Sequence, residues 1–153
     1  MDVVPPEWLH LTMTGVGFAG DFDSGAVTSI AAAVLEAAES LDVTPVVFDR
    51  LFLYGEGVCL SAECAWLQDL KALQLDLVRK AGGTAETAGD SFIPHVSLAY
   101  FSGEVDEQDL HTALDDAQLR PVEVPEPRLS LLELGRDDRV YTWRVLAQTT
   151  LRG

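Results

Sequence analysis

Two segments of this chain each place a histidine two residues before a hydroxyl side chain, inside an otherwise apolar run. Successive side chains of a β-strand point to opposite faces, so residues i and i+2 project from one face, about 6.5–7 Å apart. We therefore predict two strands that each carry one polar and one apolar face. The polar pairs are His10 with Thr12 in WLHLTM (residues 8–13) and His95 with Ser97 in FIPHVSLAY (residues 92–100).

Each pair begins a similar order of predicted elements, because the hydrophobic period alternates between that of a strand and that of a helix. A duplicated unit with a pseudo-two-fold axis would bring the two histidine strands together, each motif facing the other. Gly82 is suited to a left-handed helix cap. The expected elements are a strand over 8–18, a helix over 24–41, strands over 44–54 and 57–62, a helix over 63–81, a strand over 92–101, a helix over 105–117, and strands over 121–134 and 139–149.

The composition is that of one cytoplasmic domain. With 153 residues and 48% hydrophobic content, the chain is large enough to bury its own core. Cys59 and Cys64 have neither disulfide nor metal-knuckle spacing, which predicts reduced thiols. No apolar run approaches the roughly 20 residues of a membrane span, and the N-terminus lacks the pattern of a signal peptide. We expect a soluble cytoplasmic protein with no membrane partner.

The net charge limits which partners the chain can bind. The sequence has 25 acidic and 10 basic side chains, a formal charge of −15. A field of this sign repels long RNA and DNA, whose non-specific binding depends on neutralising phosphates. A phosphate substrate must therefore be small, or be held by local groups.

The triplets HLT (10–12) and HVS (95–97), the second followed by LAY, resemble the twin HxT/HxS motifs of the 2H phosphoesterases. This superfamily includes the bacterial 2′-5′ RNA ligase-like proteins and cyclic nucleotide phosphodiesterases. The resemblance covers most of the chain. It implies one domain over residues 1–153 with an α+β fold: two pseudo-symmetric lobes, antiparallel sheets lining a central cleft, and helices packed outside.

The chain departs from this pattern at its N-terminus. Family members usually have a strand and a helix ahead of the first motif, whereas nine residues precede His10 here. We expect either a start codon placed too far downstream or a first lobe that lacks an edge strand. In the second case the exposed edge can pair with another copy, giving an edge-strand dimer.

The four motif residues suit the opening of a 2′,3′-cyclic phosphate. Two imidazoles can act as general base and general acid near neutral pH, which assigns catalysis to His10 and His95. Thr12 and Ser97 would donate hydrogen bonds to the non-bridging phosphate oxygens. No metal or cofactor is required. The sequence leaves open which histidine is the base, and whether the reaction is hydrolysis or ligation.

Three further residues are candidate substrate contacts. Tyr100 and Trp143 can stack on a nucleobase, or serve only in packing, and Arg144 can neutralise phosphate charge or lie ion-paired at the surface. His111, in the polar opening of a helix, is expected to be a solvated surface residue.

Two rival interpretations remain. In one, the same cleft binds a cyclic nucleotide or an RNA terminus without turning it over. In the other, His10 and His95 bind zinc, although no acidic or cysteine ligand has a supporting spacing.

Overall fold

The computed structural model describes residues 1–82, 92–103, 106–137 and 140–152. It contains helices and antiparallel sheets, so the predicted α+β class is confirmed. The helices are α1 (Ser24–Ala38), α2 (Ala65–Lys80) and α3 (Glu107–Asp115). The strands are β1 (Asp2–Val3), β2 (Val46–Tyr54), β3 (Gly57–Ala62), β4 (His95–Tyr100), β5 (Val122–Val124), β6 (Arg128–Asp137) and β7 (Val140–Thr150).

The chain divides into two compact units, each assembled from three separated parts of the sequence. The first unit comprises Met1–Thr12, Val46–Cys64 and Ile93–Val124, and the second comprises Met13–Pro45, Ala65–Phe92 and Pro125–Gly153. Both histidine motifs therefore belong to the first unit.

The first unit is built on a five-stranded antiparallel sheet in the order β1-β4-β3-β2-β5. Helix α3 packs against β2. The expected GEG turn joins β2 to β3, and Gly55 adopts a φ of +57°, which glycine tolerates without steric cost. One apolar row crosses this sheet, with Leu11, Val96, Leu60 and Leu51 in successive cross-strand positions.

The strand expected over residues 8–18 is much shorter in the structure. The chain leaves β4 after β1, makes a 3-10 turn at Pro6–Trp8, and returns to β4 only at Leu11, which forms an isolated bridge with Val96. Pro5 and Pro6 explain the departure, because proline has a fixed φ and no N–H to donate to the ladder. The prediction was wrong in extent, although the bridge lies within the first motif.

Two β-bulges in this sheet change which face a side chain occupies. An extra residue in one strand breaks the alternation of the pleat. In β2 the extra residue is Asp49, and in β4 it is Leu98. As a result, Phe48 faces away from Arg50, Phe52 and Tyr54, which lie on the face of the motif side chains. Tyr100 also lies on that face, although strict alternation from Ser97 would place it on the other. The cross-strand pairs that define the bulges are Phe48–Ala62 then Arg50–Ser61, and Val58–Ala99 then Cys59–Ser97.

The second unit consists of two packed helices and a β-hairpin. Helices α1 and α2 pack against each other, and β6 pairs with β7. Asp23 caps α1 by accepting a hydrogen bond from the Ala26 N–H at 2.7 Å. The helix ends at Ala38 rather than residue 41, because the following N–H groups bond three residues back instead of four. Gly82 after α2 has a φ of +80°, as predicted for a left-handed cap.

The strand expected over 121–134 is two strands, β5 and β6. The sequence PEP at Pro125–Pro127 separates them, because two residues there lack an N–H for the ladder. The expected start of the third helix at residue 105 and of the last strand at residue 139 lie outside the described residues. None of the described helices is long and apolar enough to cross a membrane.

Candidate active site

The Leu11–Val96 bridge sets the two histidine motifs side by side on antiparallel segments. This register places His10 opposite Ser97 and Thr12 opposite His95. Because Leu11 and Val96 point to the apolar face, the four polar side chains point to the other face. His10 and His95 are diagonal neighbours in this register, a relation that separates positions by about 7–8 Å.

Both imidazoles make the same local hydrogen bond. Nδ1 of His10 lies 3.0 Å from the Trp8 carbonyl oxygen, and Nδ1 of His95 lies 2.7 Å from the Ile93 carbonyl oxygen. A carbonyl oxygen can only accept, so the bond assigns the proton to Nδ1 in each ring and the lone pair of the neutral ring to Nε2. The two half-buried rings are therefore held in matching tautomers by carbonyl groups of their own backbone segments.

The hydroxyl of the second motif contacts a buried thiol. Cys59 lies opposite Ser97 on β3, and its Sγ is 3.7 Å from the Ser97 Oγ. Burial raises the pKa of the Cys59 thiol, and the hydrogen bond to Ser97 offsets this only in part. The thiol is thus protonated at neutral pH, and it restrains the position of the Ser97 hydroxyl.

Two aromatic rings from β2 lie beside His95. The Phe52 ring centroid is 6.1 Å from that of His95 in an edge-on arrangement, and the Tyr54 centroid is 4.8 Å away at a tilt of 55°. Tyr54 is 51% exposed, so its ring forms part of the accessible surface of the site. Sequence analysis missed both rings, although the alternation of Arg50, Phe52 and Tyr54 along β2 is a signal that all three share a face.

Arg50 and Ser61 complete this face. The Arg50 Nε donates to the Ser61 Oγ at 3.2 Å, and Ser61 lies directly opposite His95 in the register of β3 and β4. Neither residue was singled out from the sequence.

The structure places the three candidate substrate contacts in two different units. Tyr100 lies on the motif face because of the bulge at Leu98, and it is 37% exposed. Trp143 and Arg144 lie on β7 in the second unit. Arg144 forms an ion pair with Glu133, whose Oε2 is 2.5 Å from one terminal nitrogen of the guanidinium. Its charge is therefore already compensated on the hairpin.

His111 is exposed on α3, as expected for a solvated residue. Within the described ranges, no group of three or more His, Cys, Asp or Glu side chains is arranged to hold a metal ion.

Comparison with known proteins gives both a family and a fold. The family model described as the 2′-5′ RNA ligase superfamily matches residues 2–138. Three crystal structures have similar folds: TT0787 of Thermus thermophilus (18% identity, TM-score 0.70), a protein described as a phosphoesterase (14%, 0.65), and E. coli LigT in its apo form (13%, 0.61). The matches cover 99% of this chain and 82%, 82% and 81% of those chains, respectively. No curated protein matches the sequence.

Proposed function

Because this chain belongs to the 2′-5′ RNA ligase superfamily, we propose that it opens 2′,3′-cyclic phosphates, or makes and breaks 2′-5′ phosphodiester bonds, in nucleotides or short RNA ends. The family match confirms the resemblance inferred from the HLT and HVS triplets. The observation that best supports the proposal is the pairing of the two motifs through Leu11 and Val96, which aligns two imidazoles and two hydroxyls on one face.

The proposed reaction divides proton transfer between the two histidines. For hydrolysis, the Nε2 of one ring takes a proton from water as the water oxygen attacks phosphorus. The Nε2 of the other ring, initially protonated, donates its proton to the departing ribose oxygen as the P–O bond breaks. The product is a ribose phosphate monoester with a free neighbouring hydroxyl. In the ligating direction the two roles exchange.

The hydroxyls of Thr12 and Ser97 support this chemistry without changing protonation. Each donates a hydrogen bond to a non-bridging phosphate oxygen, where negative charge accumulates in the transition state. The Cys59 thiol restrains the Ser97 hydroxyl from the neighbouring strand β3, which reduces the reorganisation that the hydroxyl needs as charge develops.

The substrate is expected to be small. A net charge of −15 opposes long polyanions, whereas one phosphate can be held by the donors of the site. The exposed Tyr54 ring beside His95 offers a surface on which a nucleobase can stack.

The test is an assay of the purified protein against the four 2′,3′-cyclic nucleotides and a 2′-5′-linked dinucleotide, with and without chelator. We expect turnover of at least one substrate at a rate that chelator does not change. Binding of cyclic nucleotides without turnover would overturn the enzymatic proposal in favour of a binding module. Loss of turnover in chelator would show that acid–base chemistry by the histidines alone is the wrong account.

A further inference from the structure

A β-bulge in β2 places a buried aromatic side chain on one face of the sheet and a cation on the face of the motif side chains. Phe48 is buried on one face of β2, where it pairs with Ala62. The extra residue Asp49 lets Arg50 pair with Ser61 on the other face, the side of His95, in phase with Phe52 and Tyr54. Bulges are common next to active sites, where they re-aim a side chain.

Ser61 fixes the direction of the Arg50 guanidinium. Its side chain is only 2% exposed, and its Oγ accepts a hydrogen bond from Arg50 Nε at 3.2 Å while lying 3.4 Å from the Arg50 carbonyl oxygen. The buried hydroxyl therefore uses the Nε–H and leaves the donors of the terminal nitrogens available to a ligand.

The guanidinium also shares an aromatic neighbour with a motif histidine. The Arg50 Cζ lies 5.6 Å from the centroid of the Phe52 ring, and the same ring meets His95 edge-on. Ser61 lies between Arg50 and His95 in the sheet, which separates their backbones by two strand spacings, about 10 Å. An extended arginine spans much of that distance, so one phosphate can contact both the guanidinium and the imidazole.

Arg50 is also one of the few positively charged side chains in the first unit. Of the ten lysines and arginines in the sequence, only Arg50 and Arg120 belong to it. Arg50 is exposed, and it forms no ion pair with any carboxylate of the described residues. In a chain of charge −15, a phosphate needs a local cation of this kind.

We propose that Arg50 binds the non-bridging oxygens of the substrate phosphate and that Ser61 is its positioning residue. This inference rests on the proposed function. A guanidinium suits the role because its planar fork can donate two parallel hydrogen bonds to a phosphate. It carries its charge throughout the reaction, so proton transfer stays with the histidines.

The first test compares Arg50→Gln, Arg50→Lys and the control Arg120→Gln, which removes a charge from the same unit in the segment between α3 and β5. We expect Arg50→Gln to lower kcat/KM for a 2′,3′-cyclic nucleotide by about 10²–10³. Arg50→Lys should recover part of the loss, because it keeps the charge but not the fork. Arg120→Gln should stay within about twofold of wild type. An Arg50→Gln enzyme within threefold of wild type would overturn the assignment.

A second readout separates phosphate binding from a general structural effect. Inhibition by a nucleoside 3′-phosphate should weaken at least tenfold in Arg50→Gln, while inhibition by the parent nucleoside should not change. Free guanidinium at millimolar concentration should restore part of the activity of Arg50→Ala, and sodium at the same concentration should not. Equal weakening for nucleoside and nucleotide, or no rescue, would contradict a phosphate contact.

Ser61→Ala tests the positioning role. It should raise KM for the cyclic nucleotide several-fold in the wild-type background and change nothing further in Arg50→Gln, because Ser61 acts only through Arg50. Additive losses would overturn that role. If the wild-type protein turns over no substrate, the proposed function fails by itself. Nucleoside 3′-phosphate affinity then decides the Arg50 assignment, and equal affinities of wild type and Arg50→Gln would overturn it.

Discussion

A carbonyl oxygen two residues before each histidine determines which nitrogen of the ring holds the proton. The bonds to Trp8 and Ile93 are local, because each ring contacts a carbonyl group two residues earlier in its own segment. The motif residues could be selected from sequence alone because their signal is equally local. Their spacing of two residues puts each histidine and its hydroxyl on one face wherever the segment is extended and free of a bulge.

Two residues of the sheet, Phe48 and Tyr100, lie on faces that strict alternation along the strand does not predict. Simple alternation assigns Phe48 to the face of Arg50, Phe52 and Tyr54, and Tyr100 to the face opposite Ser97. One extra residue in each strand, Asp49 and Leu98, reverses the faces of Phe48 and Tyr100. Nothing in VVFDRLFLY or HVSLAY signals that residue, because a bulge is decided by the pairing of neighbouring strands rather than by local propensity.

At the residue scale, the hydroxyls should contribute to the transition state more than to binding. Thr12→Val and Ser97→Ala should each lower kcat for a 2′,3′-cyclic nucleotide by about 10²–10³ with a smaller change in KM, as for removal of one oxyanion donor. Steady-state kinetics check this. The matched control is Thr150→Val at the exposed end of β7, which should leave kcat unchanged. A pure KM effect in Thr12→Val or Ser97→Ala would contradict the role assigned to these donors.

Among the elements, the helices and the β2–β3 hairpin follow closely from sequence, whereas the strands expected over 8–18 and 121–134 do not. Helical periodicity and the turn at Gly55 are local signals. The early strand shrinks to a bridge at Leu11, and β5 separates from β6, because prolines remove donors from ladders that only tertiary pairing defines.

The pairing of β3 with β4 depends on the absence of a side chain at Gly57. A Cβ added there would lie 2.5 Å from the Ala99 carbonyl oxygen, closer than atoms can approach without moving the strands. Gly57→Ala should therefore lower the free energy of unfolding by about 1–3 kcal/mol, the usual cost of overpacking. Urea denaturation measures this.

Gly103→Ala is the matched control for that substitution. Gly103 lies in the same unit, its φ is not positive, and an added Cβ would meet no described atom within 4 Å. Its free energy of unfolding should stay within about 0.5 kcal/mol of wild type. Equal stabilities of the two variants would show that the β3–β4 contact is looser than the structure indicates.

For the whole molecule, sequence anticipated the class of fold and the family but not how the segments are distributed. The repeat suggested two lobes formed by successive halves of the chain. The structure instead assembles each unit from three separated stretches and places both motifs in one of them. Such interleaving is set by long-range strand pairing, for which a single sequence carries little signal.

The molecular charge gives a prediction about partners. Long duplex RNA or DNA should not bind detectably at physiological salt, because 25 acidic side chains oppose the polyanion. A fluorescence-anisotropy titration with labelled duplexes at several salt concentrations checks this. Tight binding with a steep salt dependence would point instead to a role on large nucleic acids.

We propose that His10 and His95 act as one acid–base unit. The most direct test of this proposal is kcat of His10→Ala, His95→Ala and the double variant on a 2′,3′-cyclic nucleotide, measured across pH, with His111→Ala on exposed α3 as control. The wild-type profile should be bell-shaped, and each single variant should lose one limb and about 10²–10⁴ in kcat. The double variant should lose far less than the product of the two single losses. Retention of kcat within threefold by either single variant, or fully multiplicative losses in the double variant, would contradict the account.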